Sequence, residues 1–148
     1  MIVKKTVLLT ILSVLLFCCV GCACENYADV TPTLDAIESV CFQRTNVDEN
    51  NAYTYFEKNL TDVTQIEAFC AKIDKIKFEK IDPVKFTSAD YLIVFEGKKD
   101  HKLMVSGDQI IYDGQAYKVK KDGLQDMIAE IYGGIEQQET AAQSKLFK

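Results

Sequence analysis

Three hydrophobic patterns divide this chain. The first is a run near the N-terminus: residues 6–24 carry no charge, and residues 7–20, VLLTILSVLLFCCV, are the most apolar part. Fourteen residues fit the hydrophobic core of an export signal and fall short of the roughly 20 that a spanning helix needs. The second pattern belongs to strands. YLIVF, residues 91–95, is apolar throughout and rich in branched and aromatic side chains, which predicts a central strand covered on both faces. Turn residues at 97–100 lead into HKLMV, 101–105, and Gly107-Asp108 leads into QIIY, 109–112. Asp113-Gly114, a pair suited to a type I′ turn, leads into QAYKV, 115–119. Four strands joined by such short turns make an antiparallel meander. Residues 37–43 and 52–56 predict an earlier hairpin around the polar turn DENN.

The third pattern is helical. Ile66, Phe69, Cys70 and Ile73 fall at i, i+3, i+4 and i+7, and Thr61, Asp62 or Thr64 can cap the helix they define. Glu67, three after Thr64, completes the spacing of a capping box. Leu124, Ile128, Ile131 and Ile135 share a face of a second helix, with Asp122 placed to cap it and Gly133-Gly134 to end it. The expected fold is therefore α+β: an antiparallel sheet, made of a four-stranded meander plus an N-terminal hairpin, with two helices packed on it. At 148 residues there is room for one such domain and an extension. The expected divisions are a signal segment at 1–21, a tether at 22–33, the α+β domain at 34–135 and a polar tail at 136–148.

The apolar run ends in Cys19-Val20-Gly21-Cys22, a small residue directly before a cysteine. This junction resembles the lipobox of bacterial lipoproteins, in which Gly21 and Cys22 take the positions on either side of the cut and Val20 is acceptable before them. Cys19 stands where the family more often has leucine, and Cys24, preceded by Ala23, is the alternative acceptor. The resemblance implies that the thiol of Cys22 receives a diacylglycerol, that the chain is cut before it, and that the rest sits outside the cytoplasm at a membrane. Each buried methylene contributes about 0.8 kcal/mol, so two or three acyl chains hold a domain at a bilayer almost permanently. An uncleaved signal anchor and plain secretion are the other readings of this segment. The tether spans at most roughly 35 Å when extended. The layout from Tyr91 through Gly97, Gly107, Gly114 and Tyr117 is similar to that of small uncharacterised envelope lipoproteins of Gram-positive bacteria, a likeness that supplies no activity.

Charge narrows the partners. Without residues 1–21 the chain loses Lys4 and Lys5 and no acid, leaving 15 basic against 22 acidic residues. That balance speaks against nucleic acid, whose phosphates reward clustered Lys and Arg, and against a polybasic membrane patch. Sixteen lysines stand beside a single arginine, which leaves few bidentate anion-binding groups.

Candidate chemistry is sparse. Cys18, Cys19, Cys22 and Cys24 include a C-x2-C spacing, but no second ligand pair or nearby histidine completes a zinc site. His101, the one histidine, begins a strand and would need both a nucleophile and an orienting acid to act as a general base. Asn46, Asp48, Asn50 and Glu57 match a calcium-loop spacing, yet Asn46 and Asn51 stand where that loop wants Asp and Gly, so a polar hairpin turn is the better reading. Cys41 and Cys70 are expected to be buried, either as free thiols or as a disulfide adding about 2–4 kcal/mol. Tyr53, Tyr55, Phe56, Tyr91, Tyr112 and Tyr117 suit cross-strand packing better than a ligand groove. No cofactor is implied. The expectation is a non-enzymatic, membrane-anchored lipoprotein that binds an unknown envelope protein or peptide. An immunity or exclusion lipoprotein that sequesters a toxin or cationic peptide, and a small envelope hydrolase, are the alternatives.

Overall fold

The computed structural model describes residues 29–33, 36–120 and 123–145. Within them lie eight strands and two helices. In chain order these are β1 (Ile37–Val47), β2 (Tyr53–Leu60), α1 (Val63–Ile73), β3 (Phe78–Lys80), β4 (Tyr91–Gly97) and β5 (His101–Ser106). There follow β6 (Gln109–Tyr112), β7 (Gln115–Val119), α2 (Leu124–Gly134) and β8 (Thr140–Ala142).

The α+β class holds, but the sheet is larger than a four-stranded meander plus an N-terminal hairpin. All eight strands join one antiparallel sheet in the order β3-β7-β6-β5-β4-β1-β2-β8. The fusion occurs where β1 pairs with β4, Val40 opposite Phe95 and Arg44 opposite Tyr91. Both strands are apolar on both faces: Val40, Cys41 and Phe42 are buried together, as are all five residues of 91–95. Two such strands bury most surface by lying side by side in the middle of a sheet. The β1–β2 hairpin is longer than its apolar pattern indicated, running in register from Val40–Leu60 to Val47–Tyr53. The Asp113-Gly114 turn has positive φ at both residues, 46° and 88°, as a type I′ turn requires.

The helices cover one face of the sheet. Alternation places Val40 and Phe42 of β1, Tyr91, Ile93 and Phe95 of β4, and Leu103 and Val105 of β5 on that side. The buried stripe of α1, Ile66, Phe69, Cys70 and Ile73, settles onto them. Phe69 meets Phe42 edge-on at 5.0 Å and stacks on Phe95 at 5.9 Å, so its ring joins the helix to both central strands. Asp62 is the residue that caps α1, its carboxylate accepting from the Gln65 amide at 2.9 Å. For α2 the sequence pointed to Asp122, which lies outside the described residues. Gly123, at φ 115°, precedes α2 without a side-chain cap.

Both predicted domain edges shift. The tether was expected to run to residue 33, yet Val30 is 1% exposed within the helix-side core, and the Thr31 hydroxyl donates to Asp74 at 2.6 Å. The polar tail was expected to begin at 136 outside the fold. Instead β8 pairs with β2, Tyr55 opposite Ala142 and Glu57 opposite Thr140. The chain then crosses the reverse face of β1, where buried Gln43 donates to the Gln143 carbonyl at 2.9 Å and accepts from the Lys145 amide at 3.0 Å.

Candidate functional site

Strand parity places Arg44, the only arginine, on the helix side of β1 beyond Phe42, at the end of the sheet where α2 finishes. Lys58 and Phe56 of β2 share that face, because residues opposite one another in an antiparallel pair project the same way. Tyr132 comes from the buried stripe of α2 and packs on Tyr91 at 6.0 Å. Glu139 arrives from the segment between α2 and β8. Its Oε1 accepts from Arg44 Nη2 at 3.0 Å and Nε at 3.3 Å, and from the Tyr132 hydroxyl at 2.5 Å. The hydrogen bond from Tyr132, reinforced by Arg44 and Lys58, holds the Glu139 carboxyl below the usual glutamate range. Burial and the bond to Glu139 push the Tyr132 phenol upward, so it remains a donor at neutral pH.

The guanidinium of Arg44 lies 5.5 Å from the centre of the Phe56 ring and 5.8 Å from that of Tyr132. Lys58 Nζ sits 5.0 Å from the Tyr132 ring centre and donates to the carbonyls of Tyr132 and Ile135 at 3.1 and 3.0 Å. A cation at the C-terminal end of a helix offsets its negative pole and satisfies carbonyls that have no partner within the helix. Beside this cluster is an open cleft of about 580 Å³, with Gln137 and Gln138 on its rim. Chemically the arrangement recognises a carboxylate, and Glu139 of the same chain supplies one.

The other sequence candidates fall elsewhere. Asp113 Oδ2 accepts from His101 Nδ1 at 2.6 Å, and the imidazole stacks on Tyr112, ring centres 6.1 Å apart. The orienting acid is thus present. Its hydrogen-bond and ring partners among the described residues include no serine, threonine or cysteine to serve as nucleophile. Burial, with the Asp113 charge adding to it, pushes the Tyr112 phenol up to about 12. The calcium-loop residues do not converge. Asp48 accepts from the amides of Asn50 and Ala52 within the β1–β2 turn, whereas Glu57 pairs with Lys145 at 3.3 Å. Among the described residues no group of three or more His, Cys, Asp or Glu side chains could hold a metal ion.

Cys41 and Cys70 are buried free thiols on opposite faces of the sheet, Cys70 in the helix-side core and Cys41 with Leu92 and Val94 on the reverse side. The sheet stands between them, so the bridge weighed from the sequence does not form. Burial pushes the Cys70 thiol up to about 11. Burial also raises Cys41, against the pull of Lys145, whose ammonium lies 3.2 Å from the sulfur. Of the six aromatics singled out, Tyr91 is buried and Phe56 lies under Arg44, while Tyr53 is 48% exposed.

Cys22 and Cys24, the lipidation candidates, lie outside the described residues. No described helix is long and apolar enough to cross a membrane. Compared with protein-family models, with curated proteins and with solved structures, the chain has no significant match in any of the three. Sequence reasoning counted a single arginine and assigned it to no site. Its position two residues beyond Phe42 and four beyond Val40, on the same side of a strand, was the available signal. Glu139 had none, because its segment lacks an apolar period.

Proposed function

We propose that the chain is a lipid-anchored protein of the extracytoplasmic membrane surface, whose α+β domain binds an envelope protein or peptide and catalyses no reaction. The carrying observation is the junction Val20-Gly21-Cys22 at the end of an apolar run whose most apolar part, residues 7–20, falls short of the roughly 20 residues that a spanning helix needs. Cys22 is the lipid acceptor, with Cys24 next in line. The open cleft beside Arg44 supports the binding reading: the Tyr132 ring, the Gln137 and Gln138 amides and the Glu136 carboxylate line it beside the Arg44–Glu139 pair, a surface that suits a polar partner. Cells fed labelled palmitate test the anchor. The wild type takes the label and fractionates with membranes, and Cys22→Ala does neither. Crosslinking at the native membrane then identifies what the domain holds.

A protective variant of this reading, sequestration of a toxin or cationic peptide, draws on the acidic balance of the chain and predicts binding that weakens as salt rises. The hydrolase reading draws on the His101–Asp113 pair. It requires that His101→Ala abolish a turnover while leaving the thermal midpoint in place.

A further inference from the structure

We propose that the groove holding residues 136–145 is a peptide-binding site, occupied by the chain's own segment. Its partner, resting on the binding function proposed above, is an extended stretch of an envelope protein with an acidic side chain and, six residues on, a lysine or arginine. None of residues 136–145 is buried, so the segment adds no buried apolar side chain to the core. The domain grips it through backbone and charge. The Asn59 amide donates to Gln137 Oε1 at 2.6 Å, and Arg44 and Tyr132 donate to the Glu139 carboxylate. β8 then extends the sheet at β2 for three residues. On the reverse face Gln43 takes the backbone at residues 143 and 145, and Lys145 Nζ meets the Glu57 carboxylate at 3.3 Å. Extended peptides that join a sheet edge are held in this way: main-chain bonds supply affinity and sites for particular side chains supply specificity.

The receiving groups are built into the sheet. Gln43 is the one buried polar side chain among the described residues, and both ends of its amide serve the backbone that lies across β1. A buried amide costs stability unless it is bonded, so its place in a central strand calls for a main chain opposite it. Such a clamp reads backbone alone and accepts any extended chain. Charge sets the register. Arg44 projects on the helix side of β1, whereas Glu57, opposite Gln43, projects with it on the reverse side. A chain wrapping the edge of β2 therefore meets Arg44 first and Glu57 six residues later, as Glu139 and Lys145 do. The resident segment is short enough to exchange, since β8 pairs over three residues at the edge of the sheet. The open cleft between residues 136–139 and Arg44 gives an incoming chain a first foothold while β8 is still paired.

A ligand's apparent affinity falls with the fraction of open sites, so loosening the resident segment reveals the groove. The probe is the amidated, fluorescein-labelled peptide EQQETAAQSK, residues 136–145, added to the full-length protein and followed by anisotropy. Glu139→Gln with Lys145→Ala frees both ends of the segment and is expected to bind the peptide about tenfold more tightly than the wild type does. Arg44→Ala added to that pair is expected to remove the gain, as is glutamine in place of the peptide's second glutamate. Excess peptide is expected to speed amide exchange at residues 140–142 of the wild type and to leave β4 unchanged. Equal affinity for wild type and loosened protein, or a gain indifferent to Arg44 and to the peptide's glutamate, overturns the proposal. A loosened protein that dimerises and takes up no peptide also overturns it, giving the groove to a second copy. If the double variant misfolds, Glu139→Gln alone is expected to gain about threefold, and no gain counts against the groove. Crosslinking at the native membrane separates the two failures. A partner captured equally by wild type and Arg44→Ala overturns the groove alone, and no partner on the wild type overturns the binding function.

Discussion

Arg44 ties the end of the chain to the middle of the sheet. It joins β1 to the residue before β8, and Tyr132 adds α2 to the same carboxylate. Charge-assisted bonds at a partly exposed site are worth more than an open surface pair and less than a buried one, so Arg44→Ala should cost about 1–2 kcal/mol. Glu139→Gln should cost somewhat less, and both variants should speed amide exchange in β8 more than elsewhere. The sign with pH follows from the depressed Glu139 carboxyl. Its contribution is full above the ordinary glutamate pKa and is lost as pH falls through the lower folded value. A thermal midpoint that drops through that acid range in the wild type should drop less in Glu139→Gln. Gly97 makes a different demand. A Cβ there would stand 1.9 Å from the Ala36 carbonyl oxygen, where the chain enters β1, and backbone cannot move aside as a side chain can. Gly97→Ala should therefore destabilise by about 2–3 kcal/mol, read as a lower denaturant midpoint at unchanged slope.

Among the elements, α1 holds the core through one ring. Phe69→Ala should cost about 3–5 kcal/mol, because it removes contacts to Phe42 and Phe95 and leaves a cavity over the two central strands. The value would be checked by chemical denaturation. How far these elements could be read from the sequence depended on burial. β4 showed as a continuous apolar run because both of its faces are covered, and the β4-to-β7 meander showed because its turns are short and use glycine. The α1 stripe showed because four of its residues face the core. β3 and β8 were not legible: each is three residues long, sits at an edge, and has at most one buried side chain. The β1–β4 pairing was not legible either, since an apolar strand declares that it is covered and not which strand lies beside it. The Arg44 site inherits that opacity, because its members come from β1, β2, α2 and the segment before β8, and only the completed sheet brings them together.

For the whole molecule, the proposed function turns on residues 18–24, outside the described residues. The domain has an open cleft beside the Arg44–Glu139 pair at one end of α2 and a second cleft at the other. On the proposed reading, an anchor at Cys22 keeps the domain near a membrane and the cleft beside Arg44 is where a partner would dock. On the same proposal, the four cysteines crowded into 18–24 would be an address in which the Cys22 thiol takes the lipid and its neighbours are small apolar side chains. The most direct test is the intact mass of the protein extracted from its native membrane. The account predicts a chain that begins at Cys22 and carries a diacylglycerol on that sulfur. A chain that retains residues 1–21, or one that begins at Cys22 or elsewhere with no added lipid, would contradict it.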